Sequence, residues 1–163
     1  MAGHADRGVT LVELVIVLVI VSILAVAVLP RLFDKSGFAA RGAKDFLGAS
    51  LRYSQKSAVA MRRNVCVVVS GTGLAVTYAS IFGSNQNCAA GNLLMNPGNN
   101  KPYNDPSNVF PGGATVVSGT SLIFDAVGRP LTPAFVPTAA AITLTVNGYV
   151  PSITIEPETG YVH

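Results

Sequence analysis

The sequence predicts an α+β protein: a long, kinked, hydrophobic amino-terminal helix packed on an antiparallel β-sheet or sandwich domain. Three observations carry this. Residues 14–29 contain no charge, and Ser22 is their only polar side chain. Beyond Pro30 apolar residues recur at helical spacing to about residue 61. After Asn64 the chain breaks into short β-branched runs separated by turn residues.

The first eight residues, Met1-Ala2-Gly3-His4-Ala5-Asp6-Arg7-Gly8, are polar and end in Arg-Gly directly before the apolar run, the pattern of a removable leader. Residues 9–29 follow as one hydrophobic segment, rich in Val, Ile and Leu. Twenty-one residues are too many for an ordinary strand. As a helix they reach about 30 Å, the hydrocarbon thickness of a bilayer. Pro30 lacks a backbone donor and crowds the preceding turn, so a kink is expected there.

The downstream stripe is Leu32, Ala39, Ala43, Phe46, Leu47, Ser50, Leu51, Ser54, Ala58 and Met61, with basic residues mostly between. Gly37, Gly42 and Gly48 weaken the helix by about 1 kcal/mol each relative to Ala. The organisation is therefore a leader at 1–8, a membrane helix at 9–29, an amphipathic continuation at 30–62 and a β-rich domain at 63–163.

Strands are expected at 65–69, 74–80, 114–117, 121–125, 142–146 and 152–156. The last two flank Asn147-Gly148 and read as a hairpin whose second strand is limited by Pro151. Residues 83–113, crowded with Asn, Pro and Gly, read as a long surface loop. No internal repeat is visible.

Charge is distributed unevenly. The chain nets +3, yet eight of its eleven basic residues follow the apolar run directly. From Asn64 onward two basic residues, Lys101 and Arg129, stand against Asp105, Asp125, Glu156 and Glu158, a net of −2. The two cysteines, Cys66 and Cys88, have no histidine near them in sequence. A disulfide forms in an oxidising compartment, which a chain with a membrane signal can reach; the alternative is two unrelated buried thiols. No further ligands of recognisable spacing point to a metal site, and no cofactor is implied.

At the junction the chain reads Arg7-Gly8-Val9-Thr10-Leu11-Val12-Glu13-Leu14. This resembles the class III signal of type IV pilins and type II secretion pseudopilins. The resemblance implies cleavage by a prepilin peptidase between Gly8 and Val9, N-methylation of Val9, and an assembly role for Glu13, the fifth mature residue. Val9 departs from the Phe usual at the first mature position. A carboxylate in an apolar helix costs about 2 to 3 kcal/mol toward the membrane centre and so asks for a partner. In the family that partner is the amino terminus of an adjacent subunit; the plainer alternative is a glutamate snorkelling from the helix end.

Looser similarity extends along Leu29-Pro30-Arg31-Leu32-Phe33, residues 51–60, residues 123–130 and Glu158-Thr159-Gly160-Tyr161-Val162. These are similar to the GspH/FimT group of minor pilins, and within it to the minor pilins of the mannose-sensitive haemagglutinin pilus. The resemblance implies a pilin ladle fold and major and minor pilins, the peptidase and an inner-membrane assembly platform as partners. It also implies a single-pass inner-membrane precursor in a Gram-negative bacterium, with a periplasmic domain, later moved into a pilus or pseudopilus.

Other classes compete. Ala25-Val26-Ala27 fits a signal-peptidase pattern and a released soluble domain, but Glu13 within the run and the pattern beyond Pro30 argue against it. The positive-inside rule, comparing Arg7 with Arg31, Lys35, Arg41 and Lys44, points the other way; long domains translocate regardless of flanking charge. An enzyme needs a positioned base beside an acid or nucleophile, and the outer domain offers four scattered carboxylates and His163, so no catalytic residue is assigned. DNA binding would rest on Arg52, Lys56, Arg62 and Arg63, beside a domain of net negative charge.

Overall fold

The computed structural model describes residues 9–32, 35–83, 86–116, 121–139, 141–146 and 152–163, with residues 26–32, 35–36 and 89–91 described by backbone alone. It divides into two compact units with the boundary between Lys35 and Ser36.

In the first unit α1 spans Leu11–Leu32. Thr10 caps it: its hydroxyl accepts from the Glu13 N–H at 3.2 Å and its carbonyl accepts from the Leu14 N–H at 3.2 Å. Every described side chain from Leu11 to Ala25 is exposed. An all-round apolar helix of this kind is stable only against lipid or other protein. Among the described residues no helix is long and apolar enough to cross a membrane; the span counted from sequence runs past residue 25, beyond which α1 is described by backbone alone. Pro30 lies within α1, which runs on to Leu32, and the leader at 1–8 lies outside the described residues.

The second unit begins one residue inside α2, Lys35–Met61. Ala40, Ala43, Leu47, Leu51 and Ala58 are buried along one face, with Ser50 and Ser54 between them. Ser54 satisfies its hydroxyl on the Ser50 carbonyl at 2.8 Å, so the polar positions on the buried face cost little. The helix ends in a Schellman motif: Arg63 N–H donates to the Ala58 carbonyl at 3.2 Å and Arg62 N–H to the Val59 carbonyl at 3.3 Å. Arg62 takes the left-handed position at φ 51°, where glycine is usual.

The strands are β1 (Val65–Val69), β2 (Leu74–Ala79), β3 (Cys88–Leu93), β4 (Met95–Asn96), β5 (Lys101–Pro102), β6 (Ser121–Phe124), β7 (Pro130–Leu131), β8 (Ile142–Leu144) and β9 (Ile153–Ile155). A five-stranded sheet runs β3-β2-β1-β6-β7, with every neighbouring pair antiparallel. Val65, Val67 and Val69 alternate inward from β1, joined by Leu74 and Val76 of β2 and Leu122 and Phe124 of β6 in one core with the buried face of α2. β8 and β9 form a separate pair in the register Ile142↔Ile155 to Leu144↔Ile153. That pairing is the expected hairpin; its Asn147-Gly148 turn and Pro151 lie outside the described residues. Residues 161–163 extend this pair, Thr154 and His163 exchanging backbone bonds at 2.8 and 3.0 Å.

Residues 83–113 correct the sequence reading. Instead of one long surface loop they carry β3, β4 and β5 and a 3₁₀ turn at Pro111–Gly113, and they bury Leu94, Tyr103 and Phe110. Asparagine amides hold the segment in place of a regular ladder: Asn96 and Asn99 donate to the Asn108 side-chain oxygen at 2.9 and 2.7 Å, and Asn108 donates to the Pro102 carbonyl at 2.7 Å. Phe110 then meets Phe46 of α2 edge-on at 6.1 Å. The strand expected at 114–117 is reduced to a single bridge between Val116 and Val146, with residue 117 outside the described set.

Candidate functional site

The chemistry foreseen in the sequence sits at the start of α1. Gly8 lies outside the described residues; Val9 is exposed and adjoins the cap residue Thr10. Thr10-Leu11-Val12-Glu13 has the Thr-x-x-Glu spacing of a capping box. Glu13 thus enters the first helical turn, where the N-terminal dipole favours a negative charge. Its side chain is exposed and, among the described residues, has no ion-pair partner. A carboxylate so placed beside a row of exposed Leu, Val and Ile gives a rod with one acidic mark near its end.

Cys66 and Cys88 are bridged, with Cα atoms 6.0 Å apart. Cys66 alternates with the inward-facing Val65 and Val67, which places the bridge on the opposite face of the sheet. Cys88 stands opposite Ala79 at the start of β3, where the β2–β3 register shifts. The bond therefore anchors the beginning of the segment that sequence patterning read as loop.

A second constellation gathers residues 51–60, 123–130 and 158–162. Gln55 on α2 donates through Nε2 to the Gly128 carbonyl at 3.1 Å and to the Thr159 carbonyl at 2.8 Å. One turn earlier, Arg52 Nε donates to the Val162 carbonyl at 3.1 Å. Asp125, 1% exposed, accepts from the N–H groups of Val127 and Arg129 at 2.9 and 2.8 Å and from Arg129 Nε at 3.0 Å. The Arg129 guanidinium closes the pair through Nη2 at 3.0 Å. A buried carboxylate with this many donors builds a turn. The glycines are required: Gly128 (φ 94°) and Gly160 (φ 65°) are both left-handed, and a Cβ on Gly160 would clash with the Gly128 carbonyl oxygen. Sequence reasoning counted Asp125 among four scattered carboxylates and gave Gln55 and Arg129 no role of their own; the Asp-x-x-Gly-Arg spacing was the available signal.

The basic residues weighed for nucleic acid are dispersed in their contacts. Arg52 is engaged at Val162, Arg63 lies over the Phe82 ring at 4.4 Å, and Lys56 and Arg62 are exposed. His163 stacks on Tyr161 at 5.4 Å and approaches Glu156 at 3.8 Å, a contact between half-exposed side chains. Among those residues no three His, Cys, Asp or Glu side chains gather as metal ligands.

Two groups have shifted acidities. Burial pushes the Tyr103 hydroxyl above its ordinary value, opposed by a hydrogen bond with Ser50. Hydrogen bonds from the Ser107 hydroxyl and N–H, with Lys101 adding its charge, hold Asp105 below its ordinary value.

A family model described as the prokaryotic N-terminal methylation motif matches residues 3–29. No curated protein and no solved structure matches the chain. The motif supports a type IV pilin-like or pseudopilin-like protein processed as a prepilin.

Proposed function

We infer that the chain is a minor pilin of the type that builds the mannose-sensitive haemagglutinin pilus, MshC-like within the GspH/FimT group, and that it helps initiate or cap a filament used in attachment. Prepilin peptidase cuts between Gly8 and Val9 and methylates Val9. Residues 9–29 hold the precursor in the inner membrane of a Gram-negative cell, with residues 63–163 in the periplasm. The assembly platform then moves the subunit into the filament, where Glu13 meets the amino terminus of an adjacent subunit and Pro30 bends the rod.

The observation that carries this reading is the methylation motif at 3–29 opening an exposed apolar helix with one carboxylate in its first turn. Pairing that carboxylate with a neighbour's new amino group offsets the cost of burying either charge alone. The Cys66–Cys88 bridge supports an oxidising location for the domain. A type II secretion pseudopilin of the GspH kind shares every one of these features and is the second reading; a DNA-binding minor pilin is less favoured because the domain from Asn64 onward carries a net charge of −2.

Replacing Glu13→Ala tests the assembly role. The variant is expected to be cut normally yet to be lost from sheared filaments; incorporation at the wild-type level would refute the role given to Glu13.

A further inference from the structure

The carboxyl end of α2 carries an exposed apolar surface. Val59, Ile81, Phe82 and Val127 are 47%, 61%, 68% and 72% exposed. An open pocket of about 730 Å³, lined by Val59, Arg62, Phe82, Gly83 and Ala126, takes in two of them, Val59 and Phe82, and is flanked in sequence by the other two. Single exposed hydrophobics are ordinary, whereas several around one pocket mark a contact surface.

Local folding brings them together. The Schellman turn reverses the chain after Met61, and Gly83 N–H donates to the Arg62 carbonyl at 3.3 Å, setting residues 81–83 beside the helix end. The 125–128 turn approaches from the other side, where a Cβ on Gly128 would lie 3.0 Å from Val59 Cγ2. Charge then selects the partner. Arg62 and Arg63 rim the surface, and neither has a carboxylate partner among the described residues. The acid of the adjacent turn, Asp125, is buried and held by Arg129.

We propose that this surface seats a segment of a neighbouring protein subunit in which carboxylates alternate with apolar side chains, the acids meeting Arg62 and Arg63 and the apolar groups filling the pocket against Val59 and Phe82. The inference rests on the reading of the chain as an assembled subunit. Nucleic acid fits less well, because base stacking needs open aromatic faces. Here Arg63 covers one face of Phe82 and the remaining neighbours are aliphatic.

The test uses the full chain in detergent micelles and fluorescence anisotropy with two labelled synthetic peptides of equal length. One alternates Glu with Leu and Phe; in the other Lys replaces Glu. The acidic peptide is expected to bind at least about tenfold more tightly, and salt should weaken it. Arg62→Gly and Arg63→Ala should each weaken binding several-fold, and Phe82→Ser should abolish it. Arg62→Gly relieves a left-handed backbone, so its loss of binding cannot be assigned to unfolding. Equal binding of both peptides, binding of neither, or indifference to these variants overturns the proposal. Binding of a duplex oligonucleotide that is lost in the same variants overturns it in favour of nucleic acid. Amino-terminal mass on the same preparations separates the two readings: normal processing without peptide binding refutes the docking surface alone, and an uncut chain refutes the assembly reading while the peptide result stands.

Discussion

Gly160→Ala should be among the most damaging single-methyl changes in the second unit. Its φ of 65° costs alanine about 1 kcal/mol before any contact is considered. The added Cβ would also clash with the Gly128 carbonyl oxygen and fall 2.7 Å from Gln55 Nε2. The two turns must therefore separate, and Gln55 loses its bonds to the Gly128 and Thr159 carbonyls, at about 1 kcal/mol each. The sum is a loss of about 3 kcal/mol, which for a unit of this size lowers Tm by about 10 °C. With five Tyr and no Trp, unfolding of the detergent-solubilised chain in urea is followed by tyrosine fluorescence and circular dichroism. Gly71→Ala is the control: Gly71 is exposed and a Cβ there meets nothing within 4 Å, so its effect should stay within about 0.5 kcal/mol. If Gly160→Ala unfolds at the same urea concentration as Gly71→Ala, the clamp made by Gln55, Gly128 and Gly160 does not hold α2 to these turns.

Three further outcomes follow from the same structure. Removing the bridge with paired Cys66→Ser and Cys88→Ser changes frees a loop of 22 residues and should cost about 3 kcal/mol in chain entropy, read as a lower urea midpoint. Arg62→Gly should raise stability by up to about 1 kcal/mol, since the C′ position of α2 is already left-handed; a destabilised variant would contradict the Schellman assignment. Stability should also fall above pH 10, because the Tyr103 hydroxyl is raised by burial: its contribution is complete below the unfolded value of 10.0 and is lost as pH rises through the folded one. Tyr103→Phe should flatten that alkaline limb, and an unchanged limb would refute the assignment.

Legibility followed the physics of each segment. The apolar run, the helix stripe and strands such as β1, β2 and β6 carry periodicity, and the structure returns the stripe positions Ala43, Leu47, Leu51 and Ala58 as buried. Residues 83–113 carry little periodicity, because Asn96, Asn99 and Asn108 fix them with side-chain amides and Tyr103 and Phe110 anchor them singly. Composition alone therefore reads them as loop. The Gln55 clamp was invisible for a different reason: its partners are carbonyls more than seventy residues away, and no side-chain type announces them. At the start of α1 the legible feature was the acid itself, whereas the Thr10 cap that places Glu13 in the first turn became evident only with the hydrogen bond.

The most direct test is the mass of the amino terminus of the protein recovered from cells. The account predicts a chain that begins at Val9 and is heavier by one methyl group, with residues 1–8 gone. A chain that begins at Val28, or one that still carries Gly8, would contradict it.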